Sequence, residues 1–204
     1  YSNIGYLVLG RVIEQITGMS YEAYLQQLFA PLGVYDLHCG KNLKVDQQER
    51  ESDYVGNGYT NLSVYGTGQY VPWEYGGFSV EAMDAHGGWI CTAADMLRIL
   101  TSVDGFSTKP DILQSSTINT MVSPSVNNQY YAKGWQVNPF NNWWHTGALD
   151  GTASELVRTA GGYAWMIILN KRNITNNNFW TDLDNLGWNC LSATTNWPAW
   201  DLML

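Results

Sequence analysis

Two clusters of polar and titratable residues stand apart in this 204-residue chain, Tyr1-Ser2-Asn3 at its start and His145-Thr146-Gly147-Ala148-Leu149-Asp150-Gly151 far downstream. A phenol and an imidazole are side chains that carry protons once their surroundings bring their pKa values toward neutrality. An amide, a hydroxyl and a glycine beside them are groups that hold a polar substrate or let it approach. What the set lacks is a nucleophile with an amine beside it. The residues three places before Lys41, Lys44, Lys109, Lys133 and Lys171 are His38, Lys41, Phe106, Tyr130 and Ile168, so no Ser-x-x-Lys is present.

Elements must hold those clusters in place. Helices are predicted over residues 1–33. Gly5, Leu9, Val12, Ile13 and Ile16 share one face, with Arg11, Glu14 and Gln15 opposite, and Gly18 ends the first helix. Ser20 caps a second helix in which Tyr21, Tyr24, Leu25 and Leu28 align, closed by Pro31 and Gly33. Residues 34–88 read as irregular chain with short strands, a length that in a compact domain is functional or hides structure.

Residues 89–130 return to helix. Thr92 and Asp95 resemble a capping box ahead of the stripe Ala93, Met96, Leu97 and Leu100, and a short helix near Ser116–Val122 stops at Pro124. Over residues 131–204 strands are predicted at Tyr131–Val137, Trp143–Thr146, Thr152–Thr159 and Tyr163–Asn170, with Ala160-Gly161-Gly162 as a hairpin turn. Trp143 and Trp144 must point to opposite faces, one toward the core. Ala164–Leu169 is apolar on both faces, which predicts a strand covered on both sides. A closing helix, Phe179–Leu191, places Phe179, Leu183, Leu186 and Cys190 on one face. Helices, then an antiparallel meander, then a helix give the α+β class, in one domain spanning 1–204.

Composition narrows the function. With 10 Lys and Arg against 18 Asp and Glu, the net charge is −8, which excludes nucleic acid and disfavours an anionic membrane surface. No apolar run approaches the roughly 20 residues of a spanning helix. Three cysteines, Cys39, Cys91 and Cys190, have neither metal-site nor CxxC spacing and read as small buried hydrophobes. His38 and His86 have no ligand partners at metal-site spacing, so no metal and no cofactor are expected. Charged residues make up only 14%, against about 25% in ordinary domains, and 10 Trp, 13 Tyr and 5 Phe take their place. Core and surface filler accounts for most of them. An aromatic-lined carbohydrate or peptide groove is the sharper reading. This composition is compatible with export.

Three blocks carry a resemblance. Tyr1–Gly33, opening Tyr-Ser-Asn-Ile-Gly-Tyr, resembles the Tyr-x-Asn helix of the class C β-lactamase-like serine hydrolases and penicillin-binding-protein-like enzymes. Gly87-Gly88-Trp89-Ile90-Cys91-Thr92-Ala93-Ala94-Asp95-Met96 is similar to their Gly-Gly loop and Thr-Ala-x-Asp helix. Trp144-His145-Thr146-Gly147, followed by Gly151, resembles their Lys/His-Thr/Ser-Gly strand and its turn. The three occur in the expected order over most of the chain.

The resemblance implies an acyl-transfer hydrolase in which a Ser-x-x-Lys serine is acylated and then released. That motif and the first sheet strands would precede Tyr1, so the chain is expected to be the C-terminal portion of the catalytic domain and inactive alone. By the same resemblance, Tyr1 would shuttle a proton with the absent Lys, whose ammonium would favour the phenolate. Asn3 would hydrogen-bond substrate and orient that Lys; as a residue type it also suits a helix N-cap. His145 would donate to substrate or help hold Tyr1 deprotonated. Thr146 would bind a substrate carboxylate, Gly147 would admit the substrate backbone, and the Ala148 N–H would be an oxyanion donor.

Small esters, amides or D-peptides are the expected substrates, and β-lactams are less favoured because His145 lacks the permanent charge of Lys. Loss of the upstream strands would leave a sheet edge open to self-association. The alternative is a non-catalytic binding or scaffolding module that retains the fold, distinguished by an Ala or Gly in place of the upstream Ser.

Overall fold

The computed structural model describes residues 1–201. Helix α1 (Asn3–Thr17) begins where the Ser2 hydroxyl accepts a hydrogen bond from the Gly5 N–H at 3.1 Å, so Ser2 is the cap and Asn3 the first helical residue. It ends at Gly18, whose φ of 68° suits a residue without a β-carbon. The predicted apolar face of α1 is not a core face among the described residues. Leu9, Val12 and Ile16 are exposed, as are Ile4 and Val8, with Ile4 at 74% and Ile16 at 79%. The helix docks instead through Gly10, where an added β-carbon would stand 2.4 Å from that of Ala85. Arg11 pairs with Asp84 beside that contact.

Helix α2 (Tyr21–Phe29) starts at Ser20, which accepts from the Ala23 N–H at 3.2 Å, and a 3-10 turn with Pro31 and Gly33 closes it. The stretch read as irregular holds two small antiparallel ladders. β1 (His38–Cys39) pairs with β4 (Trp89–Ile90), and β2 (Thr60–Leu62) with β3 (Tyr70–Pro72). Strands of two or three residues are too short to display an alternation. Helix α3 (Ala93–Thr101) is capped by Thr92, whose hydroxyl accepts from the Asp95 N–H at 3.0 Å and donates to its carboxylate at 2.7 Å. Helix α4 (Ser115–Val122) follows.

The main sheet is antiparallel throughout, in the order β5 (Gln136–Val137), β6 (Trp143–Leu149), β7 (Thr152–Arg158), β8 (Ala164–Leu169). Two predicted strands change length. Tyr131–Val137 is not one strand, because Gly134 at φ 92° turns the chain back and Tyr131 bridges Gln136. β6 continues past Thr146 to Leu149, since the reversal comes at Asp150 and Gly151, the latter at φ 79°. The Ala160-Gly161-Gly162 turn forms as expected, with the Gly162 N–H donating to Thr159 O at 3.1 Å. Helix α5 (Phe179–Ala193) seats Gly187 against the Trp165 indole, where a β-carbon would come within 2.4 Å of the ring. α3 and α5 both reach β8 but leave Ala164 and Ile168 exposed, so its cover is partial.

Trp143 is 3% exposed and packs with Ile118 and Val137, as the two-faced Trp143-Trp144 reading requires. The buried Arg158 guanidinium lies between the Phe106 and Trp143 rings at 3.9 and 4.1 Å. It donates to the carbonyls of Asp104 and Asn141, which satisfies a cation that burial holds below its ordinary pKa. The cysteines are all unpaired, and Cys190 is exposed rather than buried. The architecture is α+β, helices against an antiparallel sheet.

Candidate active site

The start of α1 and the middle of β6 meet. Tyr1 precedes the Ser2 cap, and its ring centroid lies 5.5 Å from the His145 imidazole, 5.4 Å from Tyr6 and 5.9 Å from Tyr131. Residues 144 positions apart thus share one cluster. Tyr1 itself is 63% exposed, so the cluster opens to solvent on its side.

A hydrogen-bond chain orders the groups behind it. The His145 Nδ1 lies 2.8 Å from Thr146 O, a carbonyl that only accepts, so Nδ1 carries the hydrogen. In the neutral ring Nε2 is then an acceptor, and the Tyr131 hydroxyl, 3.2 Å away, donates to it. The Tyr6 hydroxyl in turn donates to Tyr131 at 3.2 Å. Burial, with Tyr6 close by, pushes the Tyr1 phenol above its ordinary pKa. Tyr131 is pushed further in the same direction, chiefly by burial. Both hydroxyls are therefore proton donors at neutral pH, and Tyr1 needs an added cation to serve as a base.

The remaining predicted residues lie along the same two elements with different outlooks. Asn3 is exposed in the first turn of α1. Alternation along β6 sends His145 and Gly147 to one face and Trp144, Thr146 and Ala148 to the other. Thr146 accordingly lines a cavity under α5 with Trp144 and Glu155, across the sheet from His145. A β-carbon on Gly147 would meet the Ser154 hydroxyl of β7 at 2.5 Å, so a side chain there requires that hydroxyl to rotate away. β5 pairs only with Trp143 and Trp144, which leaves the outer edge of β6 from His145 to Leu149 without a strand among the described residues. Alternate backbone N–H and C=O groups open onto that edge. The turn beyond it is braced by Asn57, whose amide donates to Asp150, and by Tyr54 close against Gly151.

Tyr6 and Tyr131 were not singled out from sequence. Tyr6 repeats the Tyr of the opening motif five residues on, a weak signal, and nothing local marks Tyr131. Among the described residues no group of three or more His, Cys, Asp or Glu could hold a metal ion, and no helix is long and apolar enough to cross a membrane.

The chain is 26% identical over 150 residues to N-acetylmuramyl-L-alanine amidase of Bacillus subtilis (strain 168), covering 68% of this chain and 34% of that protein. In three dimensions it resembles the D-amino acid amidase of Ochrobactrum anthropi SV3, with TM-score 0.65, 22% identity, and coverage of 95% of this chain and 59% of that one. It also resembles the β-lactamase/D-alanine carboxypeptidase of Yersinia pestis, with TM-score 0.63, 15% identity, and coverage of 94% and 55%. The chain thus spans between about a third and three-fifths of the length of these relatives. The sequence profile of the beta-lactamase family matches residues 1–184, a span that includes the Tyr1 helix, the Thr92 cap and the His145 strand. A match of that extent, through every block that forms the cluster, makes the chain a member of the beta-lactamase family.

Proposed function

We propose that this chain forms part of a serine acyl-transfer hydrolase that cleaves amides or esters through an acyl-enzyme. Its Ser and Lys would lie in a preceding stretch of a longer protein, and residues 1–204 alone would be inactive. One observation carries the reading. The Tyr1 ring lies 5.5 Å from that of His145, whose two nitrogens are already engaged by Thr146 O and Tyr131. The match to the beta-lactamase family over residues 1–184 supports it.

In this mechanism the serine oxygen attacks the substrate carbonyl carbon. Its proton passes to the Tyr1 oxygen, which a neighbouring Lys ammonium keeps available as phenolate against the pull of burial. Tyr1 returns the proton to the departing amine or alcohol, and water repeats the cycle on the acyl-enzyme. The substrate backbone lies along the open edge of β6, in the manner of an added strand. The Ala148 N–H supplies one oxyanion donor, a contribution of about 3–4 kcal/mol to the transition state. Asn3, exposed at the head of α1, hydrogen-bonds the substrate or the Lys.

His145 bears on substrate class. An imidazole with both nitrogens engaged, by Thr146 O and Tyr131, has no free N–H for a substrate carboxylate. Amides and esters without an acid at that position, such as D-amino acid amides, fit better than penicillins. Such a function would also accord with the amidase names of two relatives.

The test is to express the longer protein and treat it with a chromogenic β-lactam, a short acyl ester and a D-amino acid amide. Turnover of the ester or amide, an acyl adduct mapped by mass to the upstream Ser, and loss of turnover in Tyr1→Phe are expected. Absence of adduct and of turnover with all three would overturn the reading in favour of a binding module.

A further inference from the structure

On the face of the sheet away from His145, a cavity of about 450 Å³ lies between β5–β7 and the first half of α5. Trp144 and Thr146 of β6, Glu155 of β7, and Trp180, Asp184 and Trp188 of α5 line it. Glu155 is the residue that requires explanation. It is 3% exposed, in an interior strand, and its Oε2 has no hydrogen-bond partner. The Trp165 indole N–H lies close enough to favour the charged carboxylate, but neither its Nε1 nor Glu155 Oε2 completes a hydrogen bond. The residues facing Glu155 across the two neighbouring strands are Thr146 and Ile167, and neither carries charge. A carboxylate oxygen buried without a partner is costly, and natural interiors supply one.

The surroundings say what the partner is. Asp184 brings a second carboxylate, one of whose oxygens accepts from the Trp188 indole at 3.2 Å. Burial, followed by Asp184, raises the proton affinity of Glu155, the response of a carboxylate that lacks a counterion. None of the residues lining the cavity is Lys, Arg or His. Three indoles stand around these two acids, and an indole face attracts a cation placed over it. Indoles are not ligands for a metal ion, and among the described residues no group of three or more His, Cys, Asp or Glu could hold one. A planar or rounded organic cation satisfies both the acids and the rings.

We propose that this cavity binds an organic cation, a guanidinium or alkylammonium group, held between the Glu155 and Asp184 carboxylates and the Trp144, Trp180 and Trp188 rings. The cation comes either from a free small molecule or from a basic side chain of the same longer protein, and the chemistry is common to both. The site lies across the sheet from Tyr1 and His145, and its occupancy is independent of acyl transfer.

Titration of the chain with n-butylguanidinium and n-butylammonium, followed by Trp fluorescence, tests this, with neutral n-butylurea as control. Circular dichroism establishes that each protein is folded. Saturable quenching by the cations and none by the urea is expected. Glu155→Gln keeps the shape and removes the charge, and should weaken binding between about tenfold and a hundredfold. Trp180→Ala, at a residue 38% exposed at the cavity mouth, should weaken binding without disturbing the core. The same titration on the longer protein separates the sources. Retained binding assigns the site to a free cation, and binding lost there assigns it to a side chain of the protein itself. No saturable response from the chain, or equal binding by Glu155→Gln, overturns the proposal.

Discussion

The Tyr131 hydroxyl lies 3.2 Å from Nε2 of His145, while Nδ1 of the same ring is held 2.8 Å from Thr146 O. The imidazole therefore has no idle nitrogen facing Tyr1, and Tyr131 decides what Nε2 sees. Tyr131→Phe removes the donor to Nε2 and the acceptor for Tyr6 together. The expected cost is about 1–3 kcal/mol of stability, the net value of two neutral hydrogen bonds. Heteronuclear NMR of the imidazole nitrogens should show Nδ1 still protonated and the Nε2 resonance shifted. An unmoved Nε2 signal would mean that Tyr131 does not donate to it.

Gly147 faces Ser154 so closely that a β-carbon would approach its hydroxyl to 2.5 Å. Gly147→Ala should destabilise the chain by about 1–3 kcal/mol, the usual range for overpacking. The obstacle is a single oxygen, since the Ser154 β-carbon would be 3.8 Å away. Gly147→Ala with Ser154→Ala should recover most of the loss in chemical denaturation. If the double variant is as unstable as the single one, the strain lies in the backbone and the cross-strand explanation fails.

The elements with strong local chemistry are legible in the sequence: the caps at Ser20 and Thr92, the Ala160-Gly161-Gly162 turn and the opposite faces of Trp143 and Trp144. Their signals are short-range, between one and four residues. Two kinds of information are not. Gly134 turning the chain back at Tyr131 depends on a backbone angle that glycine permits but does not require. Tyr6 meeting Tyr131 depends on chain closure across 125 positions. Of the candidate site, Tyr1 and His145 were readable because each stands in a motif, whereas the hydroxyls that orient His145 belong to none. The apolar stripe of α1 misled in another way. Its periodicity was genuine, but periodicity identifies a face and not what covers it.

That stripe bears on solution behaviour. Leu9, Val12 and Ile16 of that stripe are exposed, as are Ile4 and Val8 on the same helix, and separately β8 has an outer edge with no strand partner among the described residues. The isolated chain is expected to self-associate. Val8→Lys with Val12→Lys should reduce association at little cost to folding, because both positions already face solvent. Sedimentation across a concentration series is the measurement, and a wild-type chain that stays monomeric throughout would refute the expectation.

Several phenols share an alkaline signature. Burial is the leading cause that raises Tyr54, Tyr65 and Tyr131, the first two helped by the hydrogen bond each donates to a glutamate. In the unfolded chain a tyrosine loses its proton near pH 10, while these stay protonated in the fold. The folded state then binds more protons, so their contribution is complete below about pH 10 and declines as pH rises beyond it. Denaturation midpoints should fall through this window, and tyrosinate absorbance should rise in step with unfolding. Constant stability there, with all 13 tyrosines titrating at the ordinary value, would contradict the burial argument.

Glu155 gives the opposite limb of the pH profile. Burial and then Asp184 raise its folded pKa, so the protonated form is the one the interior favours. Such a group contributes stability below the unfolded glutamate value of about 4.3 and loses it as pH rises through the folded pKa. At neutral pH the wild-type chain therefore holds a charge that its surroundings oppose. Glu155→Gln has the shape of the protonated acid and no titration. The variant should be the more stable at pH 7, and the advantage should shrink toward zero as the pH is lowered past 4, where the wild type is neutral too. Urea denaturation of both proteins at several pH values measures it. A variant less stable at pH 7 would mean that the Glu155 charge already has a favourable partner, and the empty seat inferred beneath α5 would then be filled from within the fold.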